Sequence, residues 1–154
     1  MEIQYSSSIA EDLPEELAIN LRISTGKVSD NNGQVCECYP QALISLRYLR
    51  DNEFPVAIAS RISDIAGAYQ LLHMFDVSKF FAFKAIYPGC KVKHFKHLHA
   101  VSGVDLKDMF FFDDDRRNIQ DVSRLGVTCI LVTDGISPEI IKDGLQKFYQ
   151  SAVT

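Results

Sequence analysis

The chain has 154 residues, of which 47% are hydrophobic and 23% charged, and its net charge is -4. This length and composition predict one globular domain with a sizeable core. The net negative charge and the lack of a long Lys/Arg run argue against a nucleic-acid-binding surface. A transmembrane helix needs about 20 consecutive apolar residues, and no stretch of the sequence approaches that length. The amino terminus lacks the pattern of a signal peptide. We therefore expect a cytosolic protein.

Residues 1–38 form an atypical amino-terminal segment. Pro14 with two following glutamates indicates a short helix, and residues 17–23 alternate between apolar and polar types in strand period. The turn sequence Asp30 to Gly33 lies between Val28 and Val35, which predicts a β-hairpin. We expect this segment to form a flap rather than part of the core.

Residues 39–154 show a regular alternation of helices and strands. The predicted helices begin at Pro40, after a Ser63 cap, at Lys91, before Ile119 and at Pro138. The predicted strands are Pro55–Ala59, Phe80–Ile86, Met109–Phe112 and Val127–Val132, and the helix before the last strand is expected to end at Gly126. This alternation predicts an α/β fold with a parallel sheet covered on both faces, in three α/β/α layers.

Neither the cysteines nor the histidines show a recognisable metal-site spacing. The cysteines, Cys36, Cys38, Cys90 and Cys129, are expected to be reduced thiols. The histidines, His94, His97 and His99, cannot all share one helical face. We expect them on a solvated or half-buried helix surface.

Three consecutive carboxylates, Asp113, Asp114 and Asp115, end the most apolar predicted strand. Two carboxylates about 6 Å apart repel by roughly 3 kcal/mol at an effective dielectric of about 20, so such a cluster usually needs a cation. Ligands of open α/β sheets also bind at the carboxyl ends of strands. These features favour a Mg²⁺ and phosphate site. The alternative is that the acids cap the next helix and pair with Arg116 and Arg117, which explains one Asp well and three poorly.

Two further polar signals are expected at the same edge of the sheet. Ser60 and Arg61 follow one strand, and Lys91 opens the helix after the next. A phosphoryl group needs a hydroxyl and N–H donors, a cation for its oxygens, and carboxylates that hold Mg²⁺. Each signal alone has a simpler explanation, as a helix cap or a surface lysine.

In this order and spacing the chain resembles the haloacid dehalogenase superfamily, and within it the magnesium-dependent phosphatase family. The stretches that carry the resemblance are YPQALISLRYLRDNEFPVAIASRISDIAGAYQLLHMFDVSKFF, IYPGCKVKHFKHLHAVSGV and FFFDDDRRNIQDVSRLGVTCILVTDGIS. The resemblance implies a Rossmann-like domain that uses Mg²⁺. It also implies that Ser60 and Lys91 hold the phosphoryl oxygens, that Asp114 binds the metal, and that Asp113 orients it or joins it as a ligand. Arg61 and Asn118 are weaker candidates for substrate contacts.

The chain departs from this family at its first motif, an apolar strand ending in DxDx[TV], whose first Asp forms an aspartyl phosphate. No such motif is present. In the family the missing strand is central in the sheet, so we expect either that residues 17–23 fill the gap or that the sheet is incomplete.

Three functions remain open. The first is hydrolysis of phosphomonoesters, phosphotyrosine-like or sugar phosphates, with a phosphorylated small molecule or a phosphoprotein as partner, and with activity impaired by the absent nucleophile. The second is a non-catalytic relative that binds Mg²⁺, phosphate or a partner. A response-regulator receiver domain is a remote third, because here the lysine precedes the acidic cluster.

Overall fold

A five-stranded parallel sheet forms the centre of the computed structural model of this chain. The structure describes residues 2–3, 22–24, 27–29, 35–37 and 40–153, with side chains from residue 41 onward. The strands are β1 (Glu2–Ile3), β2 (Arg22–Ser24), β3 (Lys27–Ser29), β4 (Val35–Glu37), β5 (Ala57–Ser60), β6 (Phe83–Ile86), β7 (Phe110–Asp113) and β8 (Thr128–Leu131). The helices are α1 (Pro40–Asp51), α2 (Ile65–Met74), α3 (Lys91–Ser102), α4 (Arg116–Ser123) and α5 (Pro138–Val153), with 3₁₀ turns at Ser78–Phe80 and Leu106–Asp108.

The strand order of the central sheet is β6-β5-β1-β7-β8. The chain therefore runs outward from β1 in one direction through β5 and β6, and in the other through β7 and β8. This reversal is a topological switch point, and the crevice at the carboxyl ends of the strands beside it is the usual ligand site of such sheets. The strands that flank the switch point end at Ser60 and Asp113.

The central position of the sheet is taken by Glu2–Ile3, whose register pairs Glu2 with Ala57 and Ile3 with Phe112. The expectation that residues 17–23 fill this position, or that the sheet has a gap, is wrong. Arg22–Ser24 instead belongs to a separate antiparallel sheet of order β2-β3-β4. The view of residues 1–38 as a flap alone is thus also incorrect, because two of them complete the core sheet.

The predicted hairpin is confirmed, because Val28 pairs with Cys36 and Ser29 with Val35 in antiparallel register. Its turn, residues 30–33, and the short helix predicted at Pro14 lie outside the described residues.

The run Phe110–Phe112 is fully buried because both faces of the sheet are covered. Phe110 and Phe112 point to one face and lie 5.0 Å apart between ring centroids, whereas Phe111 packs on the other face against Phe95 of α3 at 4.9 Å. This alternation follows from the period-two geometry of a strand. Helices α1, α2 and α5 contribute to the first face, and α3 and α4 to the second. The three-layer α/β/α prediction is confirmed.

Two predicted helix ends differ from the structure. The N-cap of α2 is Asp64, which accepts a hydrogen bond from the Gly67 N–H at 2.9 Å, and not Ser63. Helix α4 ends at Ser123, three residues before Gly126, which has a positive φ of 91°. Within the described part of the chain, no helix is both long and apolar enough to cross a membrane.

Candidate functional site

Lys91 and Asp113 meet beneath the carboxyl edge of the central sheet. Asp113 ends β7, and Lys91 is the first residue of α3, which follows a turn where Gly89 has a φ of 129°. The Lys91 Nζ lies 3.8 Å from the Asp113 Oδ2, with side chains only 1% and 0% exposed. The same Nζ donates a hydrogen bond to the Ala59 carbonyl at 2.5 Å. The ammonium thus connects the ends of β5 and β7.

The Asp113 carboxylate is held in one orientation by two further donors. Its Oδ1 accepts from the Asp115 N–H at 2.9 Å, and its Oδ2 accepts from the Asn118 side-chain amide at 3.0 Å. Burial raises the pKa of Asp113 to about 6. The Asp115 N–H, the Lys91 ammonium and Asn118 lower this pKa, and the hydrogen bond with Asp114 raises it, but burial is the largest effect.

Asn118 links Asp113 to Arg61. Its Oδ1 accepts a hydrogen bond from the Arg61 Nη1 at 3.2 Å, while its amide group donates to Asp113. A continuous polar chain therefore runs from Arg61 through Asn118 and Asp113 to Lys91. Asn118 is buried and Arg61 is exposed. The sequence analysis identified Asn118 and Arg61 only as weaker candidates for the site. The position of Asn118 in the first turn of α4, directly after the acidic cluster, could have indicated its contact with Asp113.

Ser60 and Asp114 complete the edge. Ser60 is 9% exposed, and its Oγ accepts from the Ile62 N–H at 3.4 Å. Asp114 is exposed, whereas Asp115 is the N-cap of α4 and accepts from the Arg117 N–H at 2.8 Å. Helix capping therefore accounts for Asp115 and leaves the other two acids to the site.

The histidine prediction is wrong for His94, which is completely buried. Its Nε2 lies 2.9 Å from the Ser60 carbonyl oxygen and 2.8 Å from that of Tyr87, and its Nδ1 lies 2.9 Å from that of Cys90. His97 is exposed, and His99 contacts the Val104 carbonyl through Nδ1 at 2.7 Å. Sequence reasoning missed that His94, three residues after Lys91, shares its buried helix face.

The Cys90 thiol is exposed, the Cys129 thiol donates a hydrogen bond to the Val127 carbonyl at 3.4 Å, and the side chains of Cys36 and Cys38 lie outside the described residues. In the part of the chain described here, no three His, Cys, Asp or Glu side chains form a metal-binding group. The donors at the edge are oxygens, and Mg²⁺ often takes only one or two protein carboxylates with several waters. Asp113 and Asp114 fit that requirement, since Asp114 is exposed at the edge and the buried Asp113 carboxylate lies beside it.

The fold is that of a haloacid dehalogenase-like domain, with a doubly wound sheet and with Ser60, Lys91 and an acidic pair beside its switch point. A solved haloacid dehalogenase family enzyme from Bacteroides thetaiotaomicron, in complex with magnesium and inorganic phosphate, shares this fold. Its TM-score is 0.57 at 20% identity, over 69% of this chain and 58% of that one.

The sequence comparisons specify the family. The acid phosphatase family model matches residues 13–151. The human protein "Magnesium-dependent phosphatase 1" is 45% identical over 125 residues, covering 81% of this chain and 71% of the relative. A HAD-like hydrolase superfamily protein of Schizosaccharomyces pombe is 35% identical over 112 residues, covering 67% of this chain and 64% of its own length. The chain belongs to the acid phosphatase family of the haloacid dehalogenase superfamily, as its resemblance to the magnesium-dependent phosphatases indicated.

Proposed function

We propose that this chain binds Mg²⁺ and phosphomonoesters at the edge formed by Ser60, Arg61, Lys91, Asp113 and Asp114, and that its hydrolysis of them is impaired. The observation that carries the proposal is the buried Lys91–Asp113 pair at the switch point, at 3.8 Å. A buried ion pair costs free energy in desolvation, so its presence at a ligand crevice favours a functional role over a stabilising one.

The phosphoryl group would contact donors from two elements. Ser60 and Arg61, at the end of β5, supply a hydroxyl, a backbone N–H and a guanidinium. Lys91 supplies an ammonium at the first turn of α3, where the helix N-terminus also favours anions. The hydrogen bond from Arg61 to Asn118 restrains the guanidinium at the same edge.

Asp114 would bind Mg²⁺ directly, and Asp113 would orient it or act as a second ligand. When bound, the cation supplies neutralising charge to the phosphoryl oxygens. The name of the human relative supports this metal. A bound divalent cation would also stabilise the ionised Asp113 carboxylate, because its charge offsets the cost of desolvation by burial.

The sequence around β1 supports the proposal of impaired hydrolysis. In the family the nucleophilic aspartate ends the central strand, and here that strand is Glu2–Ile3. The residues that follow it in sequence are Gln4, Tyr5 and Ser6, and no DxDx[TV] motif occurs in the 154 residues. Without a carboxylate at this place, the aspartyl-phosphate route has no first step.

Phosphotyrosine-like compounds and sugar phosphates are the substrate classes that we propose, whether free or on a protein. The resemblance to magnesium-dependent phosphatases supports both. We also propose that residues 1–154 act as one domain, because β1 (Glu2–Ile3) joins the core sheet that is otherwise formed by residues 39–154.

Metal binding is tested by thermal denaturation with and without Mg²⁺, in the presence of inorganic phosphate. Binding to the folded state alone must raise the melting temperature. We expect the rise to be lost in Asp114→Asn and retained in Asp115→Asn, which removes the same charge while keeping an effective helix cap. An equal rise in both variants contradicts the assignment of the metal to Asp114.

Turnover is tested with p-nitrophenyl phosphate and Mg²⁺. We expect phosphate binding with hydrolysis close to the rate without protein. Mg²⁺-dependent hydrolysis that disappears in both Lys91→Ala and Asp114→Asn would instead establish an active phosphatase with another nucleophile. A folded chain that binds neither Mg²⁺ nor phosphate would overturn the proposal.

A further inference from the structure

Strand β8 (Thr128–Leu131) forms an edge of the central sheet. It pairs with β7 on one side, and no strand of the described chain pairs with it on the other. The four residues of β8 are only half-buried, whereas the four residues of β7 are buried. The outer side of an edge strand presents a row of backbone N–H and C=O groups to which another strand can bind.

The sequence of β8 lacks the features that keep edge strands from pairing with other molecules. Residues 128–132 read TCILV and contain no charged residue, proline or glycine. The other edge strand of the sheet, β6, carries Lys84, and a lysine on an edge strand opposes such pairing. Of the two edges, β8 is therefore the one suited to accept a further strand.

The direction of the backbone groups defines which residues of β8 could pair outward. The N–H groups of Thr128 and Val132 donate to carbonyl oxygens of the segment Met109–Asp113, at 3.2 and 2.9 Å. Successive residues of a strand direct their N–H and C=O groups to opposite sides. The backbone groups of Cys129 and Leu131 are therefore directed away from β7, toward the open side.

Helix α5 borders the same edge with two opposite charges. A groove of about 370 Å³ runs between β8 and α5, and Asp143 and Lys147 line its helix side. Both residues are exposed, and among the described residues neither forms an ion pair with another side chain. Gly144 lies directly over Ile130, because a Cβ there would overlap the Ile130 side chain. The two charges, about 6 Å apart along the helix axis, thus lie beside the middle of β8.

We propose that a second copy of this chain docks on this edge, with the two β8 strands antiparallel and a two-fold axis at the level of Ile130. In this register Leu131 lies opposite Cys129 of the partner subunit. Both residues direct their backbone groups across the junction, as a hydrogen-bonded antiparallel pair requires. The two five-stranded sheets then form one continuous sheet.

The charges on α5 favour a second copy over an unrelated extended segment. A two-fold axis perpendicular to the sheet places the two α5 helices side by side and antiparallel on one face, so the same patch meets itself. Asp143 then faces Lys147 of the partner subunit, and the reverse pair forms by symmetry. A stable interface buries about 800 Å² on each partner, so the helix face must contribute as well as the strand.

This inference is independent of the proposed function, because β8 and α5 contribute none of the residues of the phosphate-binding edge. Sedimentation equilibrium of the full chain tests the assembly. We expect a mass twice that of one chain at about 100 μM, where a dimer of micromolar affinity is populated. The mass of one chain at that concentration overturns the proposal.

Charge reversal tests the predicted contact. Lys147→Glu places a carboxylate opposite Asp143 of the partner subunit, and we expect the dimer dissociation constant to rise about tenfold. Adding Asp143→Lys restores opposite charges across the interface and should restore the affinity. Lys96→Glu makes the same charge change at an exposed position of α3, on the other face of the sheet, and should have no effect. A dissociation constant that Lys147→Glu leaves unchanged, or that the double variant does not restore, overturns the contact.

Hydrogen exchange on the unmodified chain tests the position of the interface. The Leu131 amide should exchange more slowly at a concentration where the dimer is populated than in dilute solution, because its N–H then donates across the junction. The amides of β6, on the other edge of the sheet, should exchange at the same rate in both samples. A dimer in which the Leu131 exchange rate does not depend on concentration overturns the pairing through β8.

Discussion

Lys91 and Asp113 form an ion pair from which solvent is almost excluded, with the Nζ 3.8 Å from the Oδ2. The two residues are 22 positions apart in the chain and belong to α3 and β7. Such a pair is costly to bury and costlier to break, because removal of one partner leaves the other charge uncompensated.

We predict that Lys91→Met lowers the free energy of unfolding by about 3 kcal/mol. Adding Asp113→Asn should restore part of the loss, because both charges are then removed. Urea denaturation of the two single variants and the double variant gives the coupling energy. Lys96→Met, at an exposed position of the same helix, should stay within about 0.5 kcal/mol of the unmodified chain. Additive effects of Lys91→Met and Asp113→Asn would show that the two groups do not interact.

The raised pKa of Asp113 predicts a pH dependence of stability. The pKa of the Asp113 carboxyl is about 6 in the folded state, whereas its ordinary pKa is 3.8. Between these two pH values, folding is therefore accompanied by uptake of a proton at Asp113. The raised pKa stabilises the folded state fully below about pH 4, and this stabilisation is lost as the pH rises through about 6. This contribution is on the order of a few kcal/mol, because the pKa of Asp113 in the folded state is about 6 and its ordinary pKa is 3.8.

Urea denaturation in EDTA across pH 4 to 7.5 measures this effect, with Asp113→Asn as the comparison. We expect the Asp113→Asn variant to lose less stability than the unmodified chain over this range. The difference between the two curves isolates Asp113 from all other titrating groups. Parallel curves would mean that the Asp113 carboxyl has an ordinary pKa.

Gly144 of α5 lies against β7 and β8 without space for a methyl group. A Cβ there would come within 2.9 Å of the Phe112 Cζ and also meet the Ile130 Cδ1. We predict that Gly144→Ala destabilises the fold by about 1 kcal/mol, since an overpacking cost of about 1 to 3 kcal/mol exceeds the helix-propensity gain of about 1. Gln146→Ala, exposed on the same helix, is the matched control in thermal denaturation. A higher melting temperature for Gly144→Ala would refute the close packing.

The cap of α2 gives a local test with two adjacent residues. Asp64 accepts from the Gly67 N–H at 2.9 Å, whereas Ser63 is exposed before the helix. Asp64→Ala should lower the free energy of unfolding by about 1 kcal/mol. Ser63→Ala should change it by less than about 0.5 kcal/mol. The reverse order in chemical denaturation would assign the cap to Ser63.

The amino-acid sequence determined the core elements from Pro40 onward and the strand ends that carry polar side chains. Apolar periodicity and turn residues are local features, so the helices at Pro40, Lys91 and Pro138 begin where the sequence predicted. The sequence also predicted that Ser60 and Asp113 lie at the same edge of the sheet, because the carboxyl ends of parallel strands meet at one side of a sheet.

Only the tertiary structure decided the role of Glu2–Ile3, because two residues are too short for any period and their place depends on pairing with β5 and β7. It also decided the burial of His94. Backbone carbonyls carry no side-chain signal, and those of Ser60 and Tyr87 meet the ring only after β5, β6 and α3 have packed together. The sequence placed chemical groups along single elements, and packing between elements turned those groups into a site.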